Sequence, residues 1–214
     1  DINDALRDPG IKAIFATRGG KGAYRIADGL DFEAARKYPK LLVGFSEITI
    51  LHLALYKHCG LSGIHGATWS DGWDKESSAS FRKAVFTTNQ VVVRQNPSES
   101  TAALTTSGTA TGILLGGNQD MIATAAGWML PSFKGAILLV EGVGLRLGHI
   151  DRQLTKLKNA GHLDGIVGVV VGQYTDCDPD TTTQGSWTAV DVLRDRLHGW
   201  GVPVLGGLVP KFHS

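Results

Sequence analysis

Lys40-Leu41-Leu42-Val43-Gly44-Phe45-Ser46-Glu47-Ile48-Thr49 decides how this chain reads. An apolar run of strand character reaches a glycine, turns on a serine and passes at once into a helical pattern. Ile48, Leu51 and Leu55 recur at the spacing of one helix face, and the pattern ends near Gly60. A serine at such a turn lies at the carboxyl edge of a sheet, close to the positive end of a helix. A backbone N–H beside it can then face a developing oxyanion. Serine ahead of a helix is also a common N-cap, and the spacing alone leaves both roles open. The best-known nucleophile elbow carries a second glycine two residues after the serine, where Ile48 stands here.

Working outward toward the N-terminus, residues 11–17 read as a short strand, followed by the turn Arg18-Gly19-Gly20-Lys21-Gly22. Residues 23–37 have mixed helical character. Strand, turn, helix, strand, turn, helix is the rhythm of a parallel α/β unit. The glycine-rich turn allows three readings: a tight turn needing positive φ, a cradle of backbone amides for phosphate, or the second half of an oxyanion hole opposite Ser46. It lacks the spacing of a P-loop or a dinucleotide fingerprint.

Toward the C-terminus the texture changes over residues 66–110, where Gly, Ser, Thr, Asn and Pro dominate. Trp69 and Trp73 stand there in a polar setting, and residues 90–94 form one strand candidate. The domain crossing is expected here, with a nucleophile-bearing domain over 1–75, a connecting segment over 76–105 and a second domain over 106–214. Within that second domain the pattern predicts a helix over 119–128 and an apolar strand over 135–141. A helix over 151–159, a strand over 165–172, a helix over 188–197 and a strand over 203–206 follow.

Composition narrows the function classes. Hydrophobic residues make up 43% and charged residues 19%, as in ordinary globular chains. The 21 Lys and Arg against 20 Asp and Glu leave a net charge of +1, so no electrostatic footprint for nucleic acid exists. No apolar run has the length of a membrane span, and no signal-peptide pattern opens the chain. Cys59 and Cys177 are far apart, outside any CxxC pair and without a His at metal-ligand spacing. They read as buried thiols in a reducing, cytoplasmic compartment, and no metal or cofactor is expected. The start at Asp1 without Met and the stop one residue after His213 suggest an excerpt of a longer polypeptide.

Two further residue types could carry chemistry. Glu141 closes a continuous apolar strand and precedes Gly-Val-Gly. It faces either a cleft at the strand's carboxyl edge or plain solvent. Of the seven histidines, His52 and His58 lie on a helix, and His65 follows the elbow closely enough to line a site. His213 ends a strand-and-turn element. Composition does not choose a base among them.

Taken in order, these segments resemble the LD-carboxypeptidase family of serine peptidases, which includes the microcin-immunity peptidases. The resemblance rests on Arg-Gly-Gly-x-Gly at 18–22, Gly-Phe-Ser-Glu-Ile-Thr at 44–49, His65-Gly66 and Gly116-Gly117-Asn118. It continues through the strand ending at Glu141, Ile150-Asp151-Arg152, the glycines 168 and 172, and Pro203-Val-Leu-Gly-Gly-Leu ahead of a histidine. It implies a Rossmann-like or flavodoxin-like N-terminal domain with a parallel sheet, a mixed α/β C-terminal domain, and an active site between them. Carried over by position, it implies a triad of Ser46, Glu141 and His213, with Glu47 and Gly19 or Gly20 donating backbone N–H to the oxyanion. Arg18 and Arg152 become candidates for a substrate carboxylate, and His65 and Trp69 for the pocket wall.

The implied substrate is a small peptide, a murein tetrapeptide losing its terminal D-Ala in peptidoglycan recycling. An amidase of peptidyl or aminoacyl nucleotide analogues is the alternative, and a non-catalytic binding module a further one. A homodimer would be usual for the family. Three positions depart from its pattern: Glu47 stands for Asp, Gly142 for an acidic residue, and Phe212 for the Gly before the histidine.

Overall fold

A computed structural model of the chain describes residues 1–66, 75–179 and 187–208. These divide between two compact units, one drawn from residues 1–93 with 127–131, the other from 94–126 with 132–208.

The first unit holds three parallel strands in the order β1 (Ala13–Phe15), β2 (Leu41–Gly44), β3 (Ile64–His65). Its helices are α1 (Ile2–Arg7), α2 (Phe32–Lys37), α3 (Ile48–Cys59) and α4 (Lys75–Phe86). Consecutive residues Leu42, Val43 and Gly44 are all buried, as a middle strand covered on both faces requires. Immediately beforehand, buried Lys40 is satisfied by carbonyls: its Nζ donates to Asp8 O at 2.8 Å and Ile11 O at 3.1 Å. Asp31 caps α2, its carboxylate accepting the Ala34 N–H at 2.9 Å. Helix α3 buries Thr49, Ile50, Leu51, Leu53, Ala54 and Leu55. It stops at Gly60, whose left-handed backbone (φ +68°) lets its N–H reach Tyr56 O at 2.9 Å.

The second unit also carries a parallel sheet. Its strands β4 (Ile113–Asn118), β5 (Ala136–Val143), β6 (Gly168–Thr175) and β7 (Val204–Leu205) lie side by side in that order. Between them run α5 (Gln119–Ala125), α6 (Leu147–Asn159) and α7 (Ala189–His198). Ile150, Leu154 and Leu157 of α6 are buried at the 3.6-residue period. Thr188 and Asp191 cap α7 reciprocally, each side chain taking the other's backbone N–H.

The α/β class and the parallel first sheet match the sequence reading, and in the second unit every described strand is parallel too. Three segments differ. Residues 90–94 join no strand: Val92 and Val93 are 57% and 58% exposed, and β-branched residues without a ladder partner do not make one. Helix α4 lies where no helix was expected, because its serines lower local helix propensity. Helix α6 also starts a turn before the expected Asp151.

Candidate active site

The turn between β2 and α3 is strained at one residue. Ser46 has φ +56°, a left-handed conformation it shares, among described non-glycine residues, with Asp176 alone. For an L-residue that conformation costs about 1–2 kcal/mol. Ser46 is not an N-cap: Glu47 holds that position, and no side chain caps α3. The turn is closed instead by backbone, with Ile48 N–H donating to Phe45 O and Thr49 N–H to Ser46 O, both at 3.1 Å. The serine hydroxyl is thereby left beside the positive end of α3 rather than used up in capping it.

The glycine-rich loop packs directly on this turn. A Cβ on Gly19 would lie 2.8 Å from Ser46 Cβ and 3.1 Å from Ser46 Oγ, so only glycine allows so close an approach. The side chain of Glu47 turns back onto the same loop. Its Oε2 accepts the Gly22 N–H at 2.6 Å, and its Oε1 would be 2.9 Å from a Cβ on Gly20. Among the described residues, the N–H groups of Gly19, Gly20 and Glu47 donate to no backbone carbonyl or side chain. Backbone N–H groups left without a protein acceptor beside a hydroxyl are the parts from which an oxyanion hole can be built.

His65 of β3 pairs in register with Gly44, and Gly66 N–H donates to Gly44 O at 3.1 Å, so His65 shares the sheet edge from which Ser46 projects. Its ring meets that of His52 edge-on, with centroids 6.5 Å apart. His52 Nε2 lies 3.1 Å from Leu42 O. Desolvation, with His65 as a lesser cause, pushes the His52 imidazole down to about 4 against the pull of the Leu42 carbonyl. Arg18, at the start of the loop, is exposed.

In the second unit Glu141 is 3% exposed and stands in β5 beside Asn118 of β4. The ladder to β6 is irregular between Val140 and Gly142, so the carboxylate sits at a local break in the sheet. A chain of polar groups lies behind it. Tyr174 Oη donates to Gln119 Oε1 at 2.6 Å, Gln119 Nε2 to Gln153 Oε1 at 2.9 Å, and Gln153 Nε2 to Asp120 Oδ1 at 2.5 Å. Burial, then the Glu141 charge, push the Tyr174 hydroxyl well above its ordinary value. Gly142 stands where the tyrosine ring comes close: a Cβ there would be 3.0 Å from Tyr174 Cδ1. Arg152, on α6, is exposed. His213 and Trp69, with Trp73 and Phe212, lie outside the described residues. Among the described residues no group of three His, Cys, Asp or Glu side chains gathers as metal ligands would.

Residues 1–66 match the model of the LD-carboxypeptidase N-terminal domain, and residues 111–210 that of the LD-carboxypeptidase C-terminal domain. The chain belongs to the LD-carboxypeptidase family. A Bacillus subtilis protein named as a murein peptide carboxypeptidase is 32% identical over 213 residues, covering 97% of this chain and 66% of the relative. The solved muramoyltetrapeptide carboxypeptidase of Oxalobacter formigenes superposes with a TM-score of 0.82 at 26% identity, over 99% of this chain and 71% of that one. The microcin C7 self-immunity protein in complex with aspartyl sulfamoyl adenosine gives 0.81 at 23% identity, over 97% and 70%. That likeness is one of fold. The chain spans about two thirds of the length of the curated relatives it matches.

The structure therefore brings Ser46, Glu47, Gly19, Gly20 and His65 to one edge of the first unit's sheet. It puts Glu141 and Arg152 in the second unit. Sequence reasoning missed the Glu47 carboxylate, having considered only that residue's backbone. It also missed Gln119 and Tyr174 around Glu141. For Gln119 a signal existed: it follows Asn118, which caps α5 through the Met121 N–H at 3.3 Å, and a polar residue there is buried with the cap.

Proposed function

We propose that this chain carries the active site of a serine LD-carboxypeptidase that releases the terminal D-Ala from murein tetrapeptides. The observation that supports this reading best is the strained Ser46 turn with a glycine loop packed against its hydroxyl. Strain of this kind persists only where surrounding structure enforces it, and it gathers at sites of chemistry.

In this mechanism Ser46 Oγ attacks the carbonyl of the bond between the L-configured centre of the diaminoacid and D-Ala. His213 takes the hydroxyl proton as the bond forms. Glu141 holds the imidazole in its working tautomer and stabilises the imidazolium. The backbone N–H of Glu47, with that of Gly19 or Gly20, takes up the negative charge of the tetrahedral intermediate. Collapse expels the D-Ala amine, which recovers the proton from His213, and water then hydrolyses the acyl-enzyme by the same steps in reverse roles. The chain's own groups suffice for each step, and no cofactor or metal is invoked. Arg18 or Arg152 pairs with the substrate's terminal carboxylate, and His65 and Trp69 form part of the pocket wall. The enzyme works in the cytoplasm, as a homodimer, on a small peptide rather than on nucleic acid or a membrane. Consistent with that, no described helix is long and apolar enough to cross a membrane.

The test is D-alanine release from a murein tetrapeptide by the full-length protein and its Ser46→Ala variant. Release by the wild type that falls by roughly 10³-fold or more in the variant is the expected result. Cleavage of an aminoacyl sulfamoyl nucleotide with no D-alanine release would replace the substrate. Neither reaction, from a folded protein, would leave a binding module.

A further inference from the structure

The residue after the candidate nucleophile contributes more than its backbone. Glu47 is separated from the glycine loop by 25 residues of sequence, yet its carboxylate accepts the Gly22 N–H at 2.6 Å. The other oxygen lies against Gly20, close enough that a Cβ there would be at 2.9 Å. One carboxylate thus touches the loop at two residues, while Gly19 between them and the strand rests on Ser46. A five-residue turn with glycines at 19, 20 and 22 has little intrinsic stiffness, since each glycine adds accessible backbone states. An oxyanion donor works only if it is aimed beforehand, within a few tenths of an ångström and about ten to twenty degrees.

We infer that the Glu47 carboxylate is the clamp that fixes the Gly19–Gly20 amides toward the oxyanion position, so that Glu47 is a positioning residue for the reaction. The inference rests on the reading of Ser46 as nucleophile. The geometry joins the two halves of the oxyanion hole through a single residue: its backbone N–H is one donor, and its side chain sets the other. A carboxylate beside a developing oxyanion carries an electrostatic penalty. Engagement of Oε2 by the Gly22 amide offsets part of it, and the glutamate's length lets the charge sit over the loop rather than over the serine.

The experiment compares wild type, Glu47→Ala and Glu47→Gln in the full-length protein by three readouts. These are the rate of Ser46 labelling by a fluorophosphonate per folded molecule, kcat and KM for D-alanine release, and amide exchange of residues 18–23. Glu47→Ala is expected to lose protection in 18–23 and to label and turn over about 10- to 100-fold more slowly, with KM changed less than about threefold. Glu47→Gln keeps a carbonyl for the Gly22 N–H and sheds the charge penalty. It is expected to retain protection and at least about a third of wild-type kcat. A scaffold role alone would lower thermal stability and leave the labelling rate per folded molecule unchanged in both variants, and that outcome overturns the clamp. Unchanged exchange in Glu47→Ala overturns it too. If wild type fails to label while Glu47→Ala still frees the loop, the peptidase reading falls and takes the positioning role with it, leaving Glu47 a structural tie on the loop. Should Glu47→Ala not fold, Glu47→Met takes its place, being of similar length but unable to accept the Gly22 N–H: unchanged exchange of residues 18–23 there refutes the clamp.

Discussion

Ser46 and Glu141 are held in place by contrasting means. Around Ser46 the backbone is forced: the residue takes φ +56°, a glycine leans on its Cβ, and a neighbouring carboxylate ties the loop down. Around Glu141 the backbone is an ordinary strand broken by one register irregularity, and the carboxylate is buried next to Tyr174, in register with Asn118. The contrast fits the roles proposed for the two residues: a nucleophile has to project and meet substrate, and a carboxylate that orients a base has to be dry and fixed.

The largest effect that separates the two regions is on turnover. Glu141→Gln keeps the volume and much of the hydrogen bonding while removing the charge. It is expected to lower kcat by roughly 10³- to 10⁴-fold, as loss of the orienting carboxylate does in triads generally. Circular dichroism should remain native. A kcat within about threefold of wild type would remove Glu141 from the catalytic reading and leave it a buried strut.

A smaller effect separates them by pH. His52, packed under the elbow, has its folded-state value depressed from 6.5 to about 4, so the folded protein holds it neutral. Its contribution to stability is complete above the unfolded value and is lost as pH falls from about 6.5 through 4. By linkage this amounts to at most about 3 kcal/mol. Tyr174 in the second unit is shifted upward, so its contribution is present at neutral pH and lost only on the alkaline side of the ordinary tyrosine range. Urea unfolding at pH 7 and pH 4.5 should show wild type losing clearly more stability than His52→Gln. Equal losses in the two proteins would mean that His52 is not desolvated in the folded state.

How much of this was legible in the sequence follows from the same contrast. The β2–Ser46–α3 turn could be read because strand, glycine, serine and helix are contiguous, and a local pattern needs no fold to interpret it. The α/β rhythm was legible for the same reason, strand by strand. Whether Ser46 caps α3 was not, because capping depends on which residue occupies the last non-helical position, and that proved to be Glu47. The clamp between Glu47 and Gly22, and the chain from Tyr174 through Gln119 to Asp120, join residues 25 to 55 positions apart. No spacing rule reaches that far. Residues 90–94 misled because β-branched composition reports fitness for a sheet, not the presence of a partner strand. Gly142 looked like a departure from the family pattern, and the Tyr174 ring at 3.0 Å and the Leu145 side chain at 2.9 Å from a Cβ there leave a side chain little room.

The claim everything else depends on is that Ser46 is an activated nucleophile. Treating the full-length protein with a fluorophosphonate and locating the adduct by peptide mass spectrometry tests it in one step. A single adduct on the tryptic peptide containing Ser46, absent from Ser46→Ala, is the expected result. A folded protein that takes up no label, or takes it up at another residue, would contradict it.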